Sequence, residues 1–375
     1  MGPETMKEAG GLRGPSRAEY LALVATGLAC GAFLAFLSPS AWNIDFNEFY
    51  AAGKLVGTGH LYDWNAIRPL ELQRGTTVVP FGRIPAWAFV FQPLSAMPYA
   101  AARTAWLGIG IAALAGFVLL WPLARREPMI AAICWSLPVL MGLLFGQDSV
   151  LLLLFIAAGI RLLEKRGFWA GVLFSGCVAK PHLALLIPLL LAARGKWNAV
   201  CGGAAGVAAS LLISFAVEGS NWPVRWLALA RAPEFDPAAD RMPTLKGMVA
   251  VMGGGLAAQI AGVVAVVAAC WFLGSRLPLP SAAALTLAAG LLVSPHAYGY
   301  DAVLLLPAAV LSLAAPKPAW FRAWALLLLT PIPYVFLLTN IEWPGHLMVT
   351  GFTLTLLAVE VIGSIRKKTI SALIA

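Results

Sequence analysis

Asp45 and Glu48 stand in the stretch Asp45-Phe46-Asn47-Glu48-Phe49-Tyr50, directly after the first long apolar run. A carboxylate beside such a run either sits at a membrane surface or is costly to bury, and a charge kept in such a place marks a working residue by default. If 45–55 is a helix, Asp45 and Glu48 lie one turn apart on one face. A carboxylate so placed is a candidate general base, able to take the proton of an attacking hydroxyl. Helix capping by Asp45 is the plain alternative. A cap does not need the whole Asp-x-x-Glu-x-Tyr cluster, so Glu48 and Tyr50 are read as substrate-binding neighbours of Asp45.

Further polar residues interrupt the apolar runs. Gln147 and Asp148 follow Gly146 at the end of one run and start the next. Asp148 either caps that next helix or faces a substrate. Lys180-Pro181-His182 breaks the stretch 167–194. A lysine at depth is expensive unless an anion pairs with it, and Pro181 at a first helical turn leaves backbone N–H groups free for phosphate. The alternative for Lys180 is snorkelling to the interface. His296, Tyr298 and Asp301 bracket another break and suit phosphate or sugar binding, against a plain interfacial histidine. The loop 218–247 carries Arg225, Arg231, Glu234, Asp236, Asp240, Arg241 and Lys246. It is long enough for a lid, but a solvated loop is the simpler reading. The chain has no Gly-x-x-x-x-Gly-Lys, His-Glu-x-x-His or Gly-x-Ser-x-Gly motif, and Gly253-Gly254-Gly255 reads as helix-packing material.

The elements that must hold these residues are helices in a membrane. The chain has 375 residues, 60% hydrophobic and 11% charged, against about 25% charged in soluble domains. Long apolar runs lie near 20–38, 103–123, 128–145, 149–163, 198–217, 248–273, 280–297, 302–315, 319–338 and 346–364. The stretch 167–194 fits two short helices, and 85–98 is a re-entrant or interfacial helix rather than a span. The fold class is therefore all-α, a polytopic transmembrane bundle of about 10–12 spans, with short interfacial helices in the first outer loop. The expected organisation is a tail 1–19, one membrane domain 20–364 with outer loops 39–84 and 218–247, and a tail 365–375.

Sidedness follows from the basic residues. With Lys7, Arg13 and Arg17 inside, Arg125/Arg126, Arg161/Lys165/Arg166, Arg194/Lys196, Arg276, Lys317/Arg322 and Arg366/Lys367/Lys368 all fall inside too. The other face receives Asp45, Glu48, Asp63, Glu71, Asp148, Lys180, Asp301 and Glu342, with His60, His182, His296 and His346. Trp42, Trp121, Trp197, Trp222, Trp320 and Trp343 lie near proposed span ends, as interfacial tryptophans do. The net charge of +9 thus reflects inner anchoring charges and implies no nucleic-acid partner. Cys30, Cys134, Cys177, Cys201 and Cys270 lie in apolar stretches without Cys-x-x-Cys spacing and read as buried hydrophobes. No cleavable signal peptide is evident. No internal repeat is visible, which weighs against a transporter.

In order and spacing the chain resembles glycosyltransferase family 87 over roughly 40–300. The residues that carry the likeness are Asp45-Phe46-x-x-Phe49-Tyr50-Ala51-Ala52, Gly59-x-Leu61-Tyr62, Phe89-x-x-Gln92-Pro93-Leu94, Gly146-Gln147, the Gly171…Lys180-Pro181 hairpin and Ser294-Pro295-His296. One departure is Gly82-Arg83-Ile84-Pro85-Ala86, where the family often shows Tyr-Pro-Pro. The resemblance implies a GT-C type fold, a polyprenyl-phosphate sugar donor with mannose as the default sugar, and Asp45 as the catalytic carboxylate. It also implies action on the outer face of a bacterial inner membrane, among membrane lipids, on a glycolipid, polysaccharide or protein acceptor. A lipid phosphate is already a good leaving group, so one base and a nearby cation suffice. The expected reaction is inverting transfer. Asp45 is the base, Glu48 orients hydroxyls, and Lys180 and His296 stabilise the phosphate. Paired carboxylates could instead hold a divalent ion, but none is expected and no cofactor is called for. A secondary transporter or a lipid flippase is the rival class.

Overall fold

The computed structural model describes residues 16–37, 44–73, 78–231, 238–315, 317–339 and 341–374. Lys7, Arg13, Trp42, Glu234 and Asp236 lie outside the described residues, as do the side chains of Lys367 and Lys368.

The first part of the chain alternates one long helix with short ones. α1 (Arg17–Leu37) precedes α2 (Ile44–Leu55), α3 (Trp64–Leu72) and α4 (Pro85–Ser95). Asp63 caps α3 by accepting from Asn65 N–H at 2.9 Å. α4 starts on Pro85, and the Ala86 N–H is satisfied by Ser214 Oγ at 3.0 Å. Eleven residues give α4 a length of about 16 Å, roughly half a bilayer core. That agrees with the interfacial reading of 85–98.

Next come α5 (Tyr99–Leu120), α6 (Glu127–Trp135), α7 (Leu137–Phe145) and α8 (Ser149–Leu162). Ser136 caps α7, and Pro138 cannot continue the preceding helix, so α6 and α7 meet at 64°. α9 (Gly167–Phe174) and α10 (Ile187–Ala193) flank two 3₁₀ segments around Lys180, the broken hairpin expected there. α11 (Trp197–Glu218) crosses α9 closely. A Cβ on Gly202 would lie 1.9 Å from Phe168 O, so only glycine permits that approach.

α12 (Trp222–Ala230) is a short helix, and α13 (Leu245–Val251) leads to α14 (Leu256–Gly274). The apolar run 248–273 is thus divided, and Gly253-Gly254-Gly255 forms the turn between helices, with Gly253 at φ +68°. This corrects the reading of that triplet as helix-packing material. α15 (Leu279–Val293) is enclosed on all sides from Ala282 to Leu292 and forms the centre of the main core. A 3₁₀ segment from Gly299 feeds α16 (Leu306–Ala314). α17 (Ala319–Leu327) and α18 (Ile332–Leu338) bend by 55° around Pro331 and Pro333. α19 (Trp343–Ile374) closes the chain as one helix through the segment expected to be a tail.

The fold is a polytopic helical bundle. Among the described residues five helices are long and apolar enough to cross a membrane, or up to seven if each of the two bent pairs is one span. Four apolar helices are shorter: Ser149–Leu162, Gly167–Ala179, Leu279–Val293 and Gly299–Ala314. The expected 10–12 spans thus resolve into full-length helices and shortened ones. Two of the shortened ones, α8 and α15, are packed inside the protein.

Candidate active site

α2 lies on a bed of aromatic rings. Phe49 stacks on Phe91 of α4 at 4.6 Å, and Phe91 meets Trp106 of α5 at 4.7 Å. Phe46 and Phe49 are fully buried. Anchored so, α2 turns Asp45 and Glu48 into the protein at 6% and 1% exposure.

A turn between α7 and α8 meets them. α7 ends on Gly146 in the left-handed region (φ +79°), and Gln147 N–H returns to Gly142 O at 2.7 Å. Trp106 Nε1–H holds Gly146 O at 2.7 Å. A Cβ on Gly146 would sit 2.6 Å from Phe46 Cβ, so glycine lets this turn touch α2 beside Asp45. Asp148 takes the capping position of α8, yet its side chain makes no capping bond. It accepts from Arg83 Nε at 3.0 Å, Arg83 Nη2 at 3.1 Å and Trp87 Nε1 at 3.0 Å. Of the two readings of Asp148, the cap is excluded.

Lys180 approaches from the broken hairpin and is buried. Its ammonium donates to Gln147 Oε1 at 2.8 Å, Ser149 Oγ at 2.8 Å and Asp301 Oδ1 at 2.7 Å, with Asp148 Oδ1 at 3.4 Å. An ammonium has three N–H donors, so all are engaged inside the protein. Ser149 Oγ donates to Asp301 Oδ1 at 2.6 Å, and Asp301 Oδ2 accepts from Tyr298 N–H at 2.9 Å. Lys180 thus has protein partners where the sequence suggested a phosphate.

Arg83 was not among the expected site residues, and it is the connecting cation. Besides Asp148, it donates to Glu48 Oε1 at 2.6 Å and Gln147 Oε1 at 3.2 Å, and it lies over the Phe49 ring at 4.6 Å. Tyr62 O–H donates to Arg83 O at 2.6 Å, and Trp226 Nε1–H to Gly82 O at 3.1 Å. These bonds fix its backbone from the segment before α3 and from α12. Trp87 and Ser149 were also missed. A signal existed for Arg83: it stands at Gly82-Arg83-Ile84-Pro85-Ala86, where the family pattern breaks off.

The charge count is uneven. Asp45, Glu48, Asp148 and Asp301 face two cations, Arg83 and Lys180. The ion pairs run Arg83–Glu48, Arg83–Asp148, Lys180–Asp148 and Lys180–Asp301. Among the described residues Asp45 is the one of the four in no ion pair. Burial pushes Asp45 up to about 6, against the pull of Gln147, Lys180 and Arg83. Burial pushes Glu48 up to about 8, with Asp45 and Asp148 adding to it and Arg83 opposing. Two neighbouring carboxyls with separated proton affinities can divide acid and base roles. Asp45 is thereby the more acidic of the two, and Glu48 Oε1 accepts from Arg83. Glu71, 1% exposed, belongs to the same neighbourhood. Its Oε2 accepts from Val79 N–H at 2.7 Å, its Oε1 is unpartnered, and burial pushes it up to about 8.

His182 and His296 form the rim, half-buried, with ring centres 6.0 Å apart. Tyr298 is exposed and packs on His296 at 4.8 Å. The structure therefore brings together Asp45, Glu48, Gln147, Asp148, Lys180 and Asp301, with His182, His296 and Tyr298 beside them. It does not bring in Tyr50, whose hydroxyl donates to Met97 O at 2.7 Å. His346 binds Asp240 O at 2.6 Å, and His60 pairs with Asp63 near the surface. Among the described residues no group of three or more His, Cys, Asp or Glu is arranged to hold a metal ion.

Residues 85–295 match the family model of glycosyltransferase family 87. The match covers Trp87, Gln147, Asp148, Lys180 and His182, while Asp45, Glu48 and Arg83 precede it. No curated protein and no solved structure matches the chain.

Proposed function

The chain belongs to glycosyltransferase family 87, and from that premise we propose that it moves a sugar, mannose by preference, from a polyprenyl-phosphate donor to a lipid or glycan acceptor. The coarse activity is that of a membrane glycosyltransferase. The finer reading is a single displacement. The acceptor oxygen attacks the anomeric carbon from the side opposite the phosphate. Its proton passes to Asp45, the bond between the anomeric carbon and the phosphate oxygen breaks, and polyprenyl phosphate leaves. One displacement inverts the anomeric centre.

The observation that supports this reading is Asp45 itself, the carboxylate of the cluster without an ion-pair partner, raised to about 6. It is ionised at neutral pH yet basic enough to accept a proton. Glu48, raised to about 8, presents a protonated oxygen that can orient a sugar hydroxyl. His296 and His182 at the rim suit the phosphate, and Tyr298 offers a face for a sugar ring. Lys180 contributes its charge from beneath, its donors being committed to Gln147, Ser149 and Asp301. This site end faces outward by the distribution of basic residues, toward the periplasm or the exterior.

The test uses purified protein in detergent, without any gradient, supplied with polyprenyl-phosphate mannose and a total lipid extract. Label appearing in a new glycan product supports the enzyme. No transfer, with proton-coupled uptake by the reconstituted protein, supports a transporter.

A further inference from the structure

We infer that Gln147 is a positioning residue for Asp45, its amide clamped by two cations so that its NH2 group faces the base. The reading rests on Asp45 as the base. Its warrant is separate and lies in the hydrogen-bond inventory of one side chain.

A primary amide has one accepting oxygen and one donating nitrogen. Gln147 Oε1 accepts from Lys180 Nζ at 2.8 Å and from Arg83 Nη2 at 3.2 Å. Both partners are donors only, so the reversed amide would set N–H against N–H. The orientation is thereby fixed by chemistry, and the NH2 group is what remains to face Asp45, which stands at the start of α2 where the Gln147 turn meets it. The backbone enforces the same approach. Gly146 rests against Phe46, the residue after Asp45, at a distance only glycine allows. Gln147 is 4% exposed, so its oxygen is closed to a substrate.

The consequence is directional. An N–H donor on one carboxylate oxygen favours the ionised form and leaves the other oxygen to take the acceptor proton. Facing Asp45 are the cations Arg83 and Lys180 and the acids Asp301, Glu48 and Glu71. Tyr298 and Tyr300 also face it and remain neutral. Gln147 is the neutral donor in this set. Replacing it with alanine removes that donor without changing the net charge, whereas glutamate adds a negative charge in its place.

The test compares Gln147→Glu and Gln147→Ala with wild type. Glutamate keeps the shape and both cation contacts but turns an acceptor toward Asp45. Sugar transfer is followed against pH, and the Asp45 carboxyl is titrated directly by its infrared C=O band, assigned by its absence in Asp45→Asn. The expected result is a kcat lower by ~10²-fold with KM for donor and acceptor little changed. The Asp45 band should titrate about one pH unit higher in Gln147→Glu, and higher also in Gln147→Ala. A raised KM with unchanged kcat, or an Asp45 band that titrates as in wild type, overturns the assignment. If Asp45→Asn proves active, the catalytic reading fails, but the infrared titration still decides whether Gln147 governs Asp45. If Gln147→Glu does not assemble, the Gln147→Ala titration decides alone.

Discussion

The two ends of the bundle use the same residue types in opposite ways. At the end holding Asp45, Lys180 is buried and Arg83 nearly so, its side chain 12% exposed, and the two share three carboxyls through contacts of 2.6 to 3.4 Å. At the far end of α8 and beyond, Lys196, half-buried, meets the exposed Glu164 at 2.6 Å, and Arg125 meets Glu127 at 3.8 Å. Exposed pairs keep their water and contribute little. Buried ones have lost it, so each partner depends on the others, and removing one strands a charge. The comparison teaches where this chain has spent stability on chemistry. The far end is held by anchoring charges that any lysine or arginine could supply, the site end by a fixed network with one carboxyl, Asp45, outside its ion pairs.

The largest expected effect breaks that network. Lys180→Met or Arg83→Met should cost about 3–5 kcal/mol by leaving buried carboxylates unpaired, read as loss of folded protein in detergent. Lys196→Met should cost no more than about 1 kcal/mol. Equal costs at the two ends would erase the distinction. A smaller effect should follow Gly146→Ala. The methyl would meet Phe46 in a left-handed backbone, costing about 1–3 kcal/mol, and would push the Gln147 turn off α2. A lower melting temperature with lost transfer is expected, and a silent variant would mean that the turn does not seat Asp45.

The smallest effect is on pH dependence. Glu71 is raised from 4.5 to about 8 by burial. Its contribution to stability is full below about 4.5 and is lost as pH rises through about 8. Glu48 acts with the same sign. Thermal stability should therefore fall across that window, and Glu71→Gln should flatten the fall without abolishing it. A wild type that becomes more stable toward alkaline pH would contradict the buried state of these acids.

Much of this was legible before the fold. A charge in an apolar chain must be paired or working, which singled out Asp45, Glu48, Asp148, Lys180 and Asp301 although 256 positions separate the first from the last. Lys180-Pro181-His182 marked the break in 167–194. Other features stayed hidden for physical reasons. Arg83 was passed over because arginines near membranes usually anchor at the surface, and nothing local to Gly82-Arg83 tells which loop will close on it. Tyr50 was drawn in by adjacency, yet at 100° per residue it lies about 200° round the helix from Glu48, which is why its hydroxyl reaches Met97 instead. Helix lengths misled because an apolar run does not reveal bends such as those in 127–145 and 319–338.

The central claim is that Asp45, the member of a buried acid cluster in no ion pair among the described residues, is the base of a sugar transfer. The most direct measurement is radiolabelled transfer from polyprenyl-phosphate mannose to a total lipid extract, comparing wild type with Asp45→Asn at matched folding and membrane insertion. The account predicts product from wild type and a loss of ~10²–10⁴-fold or more in the variant. Equal product from both would take Asp45 out of the chemistry and shift attention to Glu48 and Asp148.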